Sequence, residues 1–148
     1  MNAPFVRRSL AVAALALLAA CEGVTGPAPE LRITPNETAY VSGGTATLTV
    51  QNLSDEVLFY NLCQVIIERR EGLRWVSLNV EALKLCNAAL FQLQPGEAVS
   101  EQVLLPTVSG SDTYRVVFPY ITTGADRNEL PRERKASEPF TVAGMVAF

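Results

Sequence analysis

The chain has 148 residues, 12 basic and 15 acidic side chains and no histidine. That length is one domain, and a net charge of −3 offers no basic surface for a phosphate backbone, which argues against nucleic acid as a partner. The lack of histidine removes Ser-His-Asp and Cys-His nucleophilic arrangements and most zinc sites.

Residues 1–20 read as a secretory signal. Arg7 and Arg8 form a cationic n-region, and an apolar run with small residues ahead of the cut follows. The run is about a dozen residues, whereas a membrane-spanning helix takes roughly twenty. Leu18-Ala19-Ala20-Cys21 resembles the lipobox of bacterial lipoproteins, whose processing acylates the cysteine and cuts just before it. The alternative is ordinary cleavage, with Cys21 as a free or paired thiol. Each buried acyl methylene contributes about 0.8 kcal/mol, and stable anchoring takes more than one chain. Lipoprotein sorting, by the same resemblance, reads Glu22 after the cysteine as delivery to an outer membrane where the cell has one.

Without Arg7 and Arg8 the remainder has ten basic and fifteen acidic residues, a net of −5. Anionic headgroups would not hold such a domain by charge. The three cysteines are an awkward odd number for an exported chain. With Cys21 lipidated, Cys63 and Cys86 remain as a pair in a compartment where disulfides persist. Residues 21–29 then form the lipidated cysteine and a tether rich in glycine and proline. Eight tether residues reach at most about 27 Å.

From residue 30 to 148, period-2 patterns bounded by turn signals predict an all-β domain. A first strand covers Leu31–Thr34. In Thr45–Gln51, Ala46, Leu48 and Val50 face one way and the threonines the other. Asn52-Leu53-Ser54-Asp55 is a turn, followed by a strand at Val57–Tyr60. Cys63–Arg69 and Arg74–Leu78 flank a hairpin turn with Gly72 where positive φ is needed. The stretch Asn79–Leu90 fits neither period and reads as an irregular insert, with room for a helical turn at Glu81–Lys84.

Phe91–Leu93 leads into Gln94-Pro95-Gly96-Glu97, which suits a type II turn. Val99, Glu101, Val103 and Leu105 then alternate. Thr113–Tyr120 puts Tyr114, Val116, Phe118 and Tyr120 on one face, with Pro119 ending, bulging or edging the strand. Thr122–Ala136 reads as a long polar loop, and Ser137–Val142 closes the chain of strands. The fold class is an antiparallel β-sandwich of seven or eight strands.

The run Thr47–Ser54, then Val65–Arg70 with Gly72 and Trp75, then Leu93–Glu97 and Thr113–Val117, resembles bacterial immunoglobulin-like domains found on lipoproteins. That resemblance implies an interaction or spacer module without an activity. The layout is also similar to the bacterial intracellular proteinase inhibitor family, which implies inhibition as a second reading.

The chemistry left to the chain is carboxylate chemistry, with Glu68, Glu71, Glu97 and Glu101 as candidates. Surface glutamates that only solvate the fold are the ordinary alternative. No catalytic residue, metal site or cofactor is expected. Trp75 reads as a core anchor in preference to a ligand-stacking residue, and Tyr114 resembles the tyrosine corner of sandwich folds. Arg132, Arg134 and Lys135 lie in the long loop and are the candidate partner-binding residues, with a solvated mixed-charge loop as the alternative. The chain therefore reads as a non-catalytic, lipid-anchored envelope module, attached to the membrane by its anchor and partnered by an envelope protein or polysaccharide. A proteinase inhibitor and a carboxylate-based envelope enzyme are the alternatives.

Overall fold

The computed structural model describes residues 31–78, 86–123 and 128–144. The proposed signal peptide, Cys21, the tether and the Glu81–Lys84 turn lie outside them. The described strands are β1 (Leu31–Pro35), β2 (Ala39–Val41), β3 (Thr45–Asn52), β4 (Leu58–Asn61), β5 (Ile66–Glu71), β6 (Arg74–Ser77), β7 (Phe91–Leu93), β8 (Ala98–Leu104), β9 (Ser111–Val117), β10 (Tyr120–Thr123), β11 (Asn128–Glu129) and β12 (Phe140–Ala143). They form sheets ordered β1-β3-β8, β2-β12-β9-β5-β6 and β11-β10-β4-β7.

The cleanest alternation builds the centre of the first sheet. Ala46, Leu48 and Val50 on β3 are fully buried, and Ala46 and Val50 lie opposite Val103 and Val99 of β8. In the five-stranded sheet β9 is central. Ile67 of β5 lies opposite Val116, and Phe140 of β12 opposite Tyr114. These inward side chains belong to the same buried cluster as Leu31, Ile33 and Leu48 of the other sheet. Strands β1-β3-β8 across from β12-β9-β5-β6 are the A-B-E and G-F-C-C′ order of an immunoglobulin-like sandwich.

The turn residues fall where their backbone needs them. Gly72 and Gly96 have φ of 61° and 77°, and the Glu97 amide donates to the Gln94 carbonyl across the Pro-Gly turn at 3.0 Å. Asn52 closes the next turn from inside the protein. Its Nδ2 donates to the Glu56 and Leu93 carbonyls, and its Oδ1 accepts from the Ser54 amide.

Three expectations are corrected. The strand β2 was not anticipated, and it pairs with β12 in parallel, so the sandwich is not wholly antiparallel; Tyr40 packs edge-on against Phe140 at 5.1 Å. β9 ends at Val117, two residues ahead of Pro119, and the face changes across the break. Tyr114, Val116 and Phe118 are buried as expected, but Ile121 takes the next inward place and Tyr120 is left 49% exposed. The Thr122–Ala136 segment is not simply a polar loop. It contains the end of β10, β11 and a 3₁₀ turn at Arg132–Lys135, and Ala136 bridges to Val117.

The neighbouring strand breaks at the same level, between β4 and β5. The paired breaks set β4 and β10 together in a separate sheet with β7 and β11. They also expose two surfaces with functional potential: the outer face of the five-stranded sheet, and the region around the Cys63–Cys86 disulfide.

Candidate functional site

On the outer face of the five-stranded sheet, Glu68 of β5 sits directly opposite Arg115 of β9 and Ser77 of β6. Arg115 Nε donates to Glu68 Oε2 at 2.6 Å. From the 3₁₀ turn, Arg132 Nε and Nη2 donate to Glu68 Oε1 at 2.9 and 2.6 Å, and Nη2 also reaches Ser77 Oγ at 2.8 Å. The Glu68 side chain is 3% exposed. Burial alone would raise its pKa, but the hydrogen bonds and charges of Arg115 and Arg132 outweigh it and hold the carboxyl below the usual range. Both oxygens are engaged, so Glu68 ties a loop to a sheet and is not set up to deliver a proton.

Trp75 of β6 lies on this same face, and the Arg115 guanidinium stands 4.5 Å from its ring centroid. Trp75 is therefore not a core anchor. It is half-buried on an edge strand, in a cation–π contact with the arginine that pairs with Glu68. Tyr114 is fully buried as a sandwich tyrosine should be, but its hydroxyl makes no backbone hydrogen bond, so the bond that defines a tyrosine corner is missing.

The three loop cations do not form one patch. Arg132 is committed to Glu68 and Ser77. Lys135 is buried, and its Nζ donates to the Pro119 carbonyl at 2.8 Å, which satisfies an acceptor at the strand break. Arg134 is half-buried, and its amide donates to the Pro131 carbonyl within the 3₁₀ turn. The described part of the loop is thus tied to the sheet through Arg132 and Lys135. The candidate carboxylates also have separate tasks. Glu97 Oε2 accepts the Gln94 amide at 2.8 Å, Glu71 pairs with Arg69 in the hairpin, and Glu101 lies on β8 opposite Leu48. Among the described residues no three His, Cys, Asp or Glu side chains come together to hold a metal ion.

The second surface lies around the disulfide. Cys63, in the break between β4 and β5, is bonded to Cys86 with Cα atoms 5.6 Å apart, as the odd cysteine count predicts. Asn61, at the end of β4, fixes the same segment without covalent chemistry. Its Nδ2 donates to the carbonyls of Asn87 and Ala89 at 2.9 and 2.8 Å, and its Oδ1 accepts the Cys63 amide at 2.9 Å. Residues 86–90 become a strap across the end of the sandwich.

A depression lies on each side of the strap. One, of about 370 Å³, is bordered by Tyr120, Gln64, Asn87, Ala88 and Leu90. The other, of about 360 Å³, is bordered by Tyr60, Phe91, Val99 and Glu101. In the second, the Tyr60 and Phe91 rings are 5.8 Å apart, and burial followed by the charge of Glu97 raises the Tyr60 phenol. Tyr120 and Phe91 are both about half exposed. The sequence flagged the insert as irregular but did not single out these aromatics. The one signal for Tyr120 was its place just after Pro119.

Neither a protein-family model nor a curated protein matches this sequence. Among solved structures the chain is similar to the CARDB domain of a Pyrococcus furiosus protein in complex with di-metal ions, at 13% identity and TM-score 0.40, covering 80% of this chain and 96% of that one. It is similar to Pseudomonas fluorescens alkylpurine DNA glycosylase AlkC bound to DNA containing an abasic site analogue, at 9% identity and TM-score 0.38, covering 79% and 31%. It is also similar to PapD-like domain 7 of human CEP192, at 12% identity and TM-score 0.36, covering 97% and 98%. At these values the immunoglobulin-like architecture rests on the strand order of this chain itself.

Proposed function

We propose that this protein is a non-catalytic, lipid-anchored module of the bacterial envelope that binds a partner at the strapped end of its sandwich. One observation carries the reading: a depression bordered by a half-exposed tyrosine lies against a wall fixed by the disulfide and by Asn61. Binding sites are concave and largely apolar, with a few polar groups to orient the ligand. The carboxylates that could have supported catalysis are occupied with structural tasks in the cases of Glu68, Glu71 and Glu97.

The anchor is supported by the lipobox-like Leu18–Cys21 and by the disulfide, which accounts for the other two of the three cysteines. The sandwich begins at Leu31, so the short tether would keep it near its membrane.

A photoreactive residue placed at Ala88 in the full-length protein tests the binding site in intact cells. It should give a crosslinked adduct with a protein or polysaccharide, while the same group at the exposed hairpin residue Leu73 should not. Equal labelling at both positions, or none at Ala88, overturns the proposal. In the same cells Cys21→Ser should abolish fatty-acid labelling and membrane retention.

A further inference from the structure

We infer that the β5–β6 hairpin rests on an anionic phospholipid surface, with Leu73 entering the boundary between headgroups and acyl chains and Arg70 and Arg74 meeting lipid phosphates. The inference rests on the lipid anchor of the proposed function. The anchor holds the protein to the membrane, and the hairpin sets how the sandwich lies on it.

The first argument is the tip itself. β5 ends at Glu71 and β6 begins at Arg74, opposite one another, so the turn between them is Gly72-Leu73. Gly72 supplies the positive φ, at 61°, that so tight a turn needs. The turn asks nothing apolar of the next side chain, and polar residues or glycine ordinarily fill such positions. Leucine stands there at 94% exposure, with Val76 exposed and Trp75 half-buried close behind it. Leucine at a projecting tip backed by tryptophan suits a membrane interface, where tryptophan sits at headgroup level.

The second argument is charge. Arg69, Arg70 and Arg74 stand against Glu71 on the hairpin and Asp112 on β9. Three arginines against two carboxylates leave this corner positive on a chain whose net charge is −3. Arg69 pairs with Glu71, while Arg70 and Arg74 are exposed. Arg70 Nε donates to the Gly72 carbonyl at 3.2 Å, which holds its stem at the turn. A guanidinium has five N–H donors in a planar fork that matches phosphate oxygens.

The third argument is position. The tether joins the opposite pole, where Leu31 lies opposite Asn52 and the Asn52 amide donates to the Glu97 carbonyl. There the exposed Asp55, Glu56 and Glu97 outnumber Arg32. The hairpin lies toward the other end of β3. Arg69 is opposite Tyr114, and further along β9 Ser111 is opposite Ala143, whose carbonyl accepts the amide of Ser42, just ahead of β3. An anionic surface thus repels the tether pole and attracts the hairpin pole. The eight residues of β3 span about 27 Å, a distance that the tether can match, so the anchored sandwich can lie down on its own membrane. A stable protein partner would cover roughly 20–30 residues a side, far more than a hairpin tip offers, whereas a bilayer requires no matching shape.

Trp75 is the only tryptophan of the chain and lies two residues from Leu73, about 7 Å along the strand, so the protein carries its own probe. Full-length lipidated protein is reconstituted into vesicles of phosphatidylglycerol and phosphatidylethanolamine, with or without bromine near the top of the acyl chains. The brominated lipid should quench Trp75 emission. Leu73→Asp should abolish the quenching and leave the thermal melt unchanged, as an exposed substitution does. Arg70→Gln/Arg74→Gln should weaken it, and so should about 1 M salt, where charges are screened within about 3 Å. Equal emission in brominated and plain vesicles overturns the inference, as does quenching that survives Leu73→Asp or is as strong in vesicles of phosphatidylcholine alone. Protein that floats with the vesicles without quenching removes the hairpin contact and leaves the anchor standing. Protein that does not float removes both.

Discussion

The connection before β7 and the connection before β12 are both longer than a sandwich requires, and the protein fastens them by different chemistry. The second is held by charge and by a lysine–carbonyl bond, through Arg132 on Glu68 and Lys135 on the Pro119 carbonyl. The first is held by the Cys63–Cys86 bond and one asparagine. Fastening by ion pairs uses up the local charge and packs the loop down, so the result is structural. Fastening by a disulfide and an amide uses no charged side chain, and two depressions lie beside the fastened residues.

Removing the disulfide should have the largest effect. Chain-entropy reasoning gives about 3 kcal/mol for a bridge across 23 residues, out of roughly 5–15 kcal/mol for a typical domain. A Cys63→Ala/Cys86→Ala double variant should lose about that much in chemical denaturation, together with the Ala88 adduct. The Asn61 hydrogen bonds to Asn87 and Ala89 would still hold part of the strap. If stability is unchanged and the adduct persists, the disulfide is not what fixes the wall.

Glu68→Gln should come next, at about 2 kcal/mol, because it leaves two guanidiniums facing a neutral amide. Breaking a fully buried pair costs roughly 3–5 kcal/mol, and Arg132, at 44% exposure, recovers part of that from water. The disulfide fastens residues 86–90 and Glu68 fastens the 3₁₀ turn, so the two losses should add. The pH dependence gives a sharper check. Folding lowers the Glu68 pKa below its ordinary 4.5, so its contribution is complete above about that pH and is lost as pH falls through the folded value. The stability gap between wild type and Glu68→Gln should therefore be widest near neutrality and close in acid. A gap that widens in acid would contradict the pairing.

Charge reversals in the loop separate its cations. Arg132→Glu should cost about 1–2 kcal/mol by setting a carboxylate against Glu68, and Arg134→Glu, on a half-buried side chain, should cost less. Thermal melts of the two variants read the difference directly. Sequence reasoning gives the three cations one surface role, and equal melting temperatures would restore that view.

How much of this could be read beforehand depended on the range of the interactions. The alternation of Thr45–Gln51, the glycine turns at Gly72 and Gly96 and the cysteine pairing were legible because each is set by neighbours in sequence or by counting. The exposure of Tyr120 was not, because one proline changed which side chains face inward. The burial of Glu68 was not legible either, since the residue that covers it, Arg132, comes 64 positions later. Alternation identifies the two faces of a strand, but it does not reveal that the outer face will be covered by a loop from another part of the chain.

Trp75 should give the smallest effect and the most discriminating one. Its sequence context, a lone tryptophan on a sandwich strand, is that of a core anchor, and truncating such a residue to alanine costs about 3–5 kcal/mol. In the fold it is half-buried on the edge strand β6, beneath the Arg115 guanidinium. A cation–π contact at a site of this kind is worth about 0.5–1 kcal/mol. A double-mutant cycle with Trp75→Leu and Arg115→Gln isolates that coupling from the part Arg115 owes to Glu68, because the cycle subtracts what each single variant loses by itself. The coupling should be about 0.5–1 kcal/mol, and Trp75→Leu alone should cost little more. A loss of several kcal/mol for Trp75→Leu would return the tryptophan to the core and break the contrast between the two faces of this sheet.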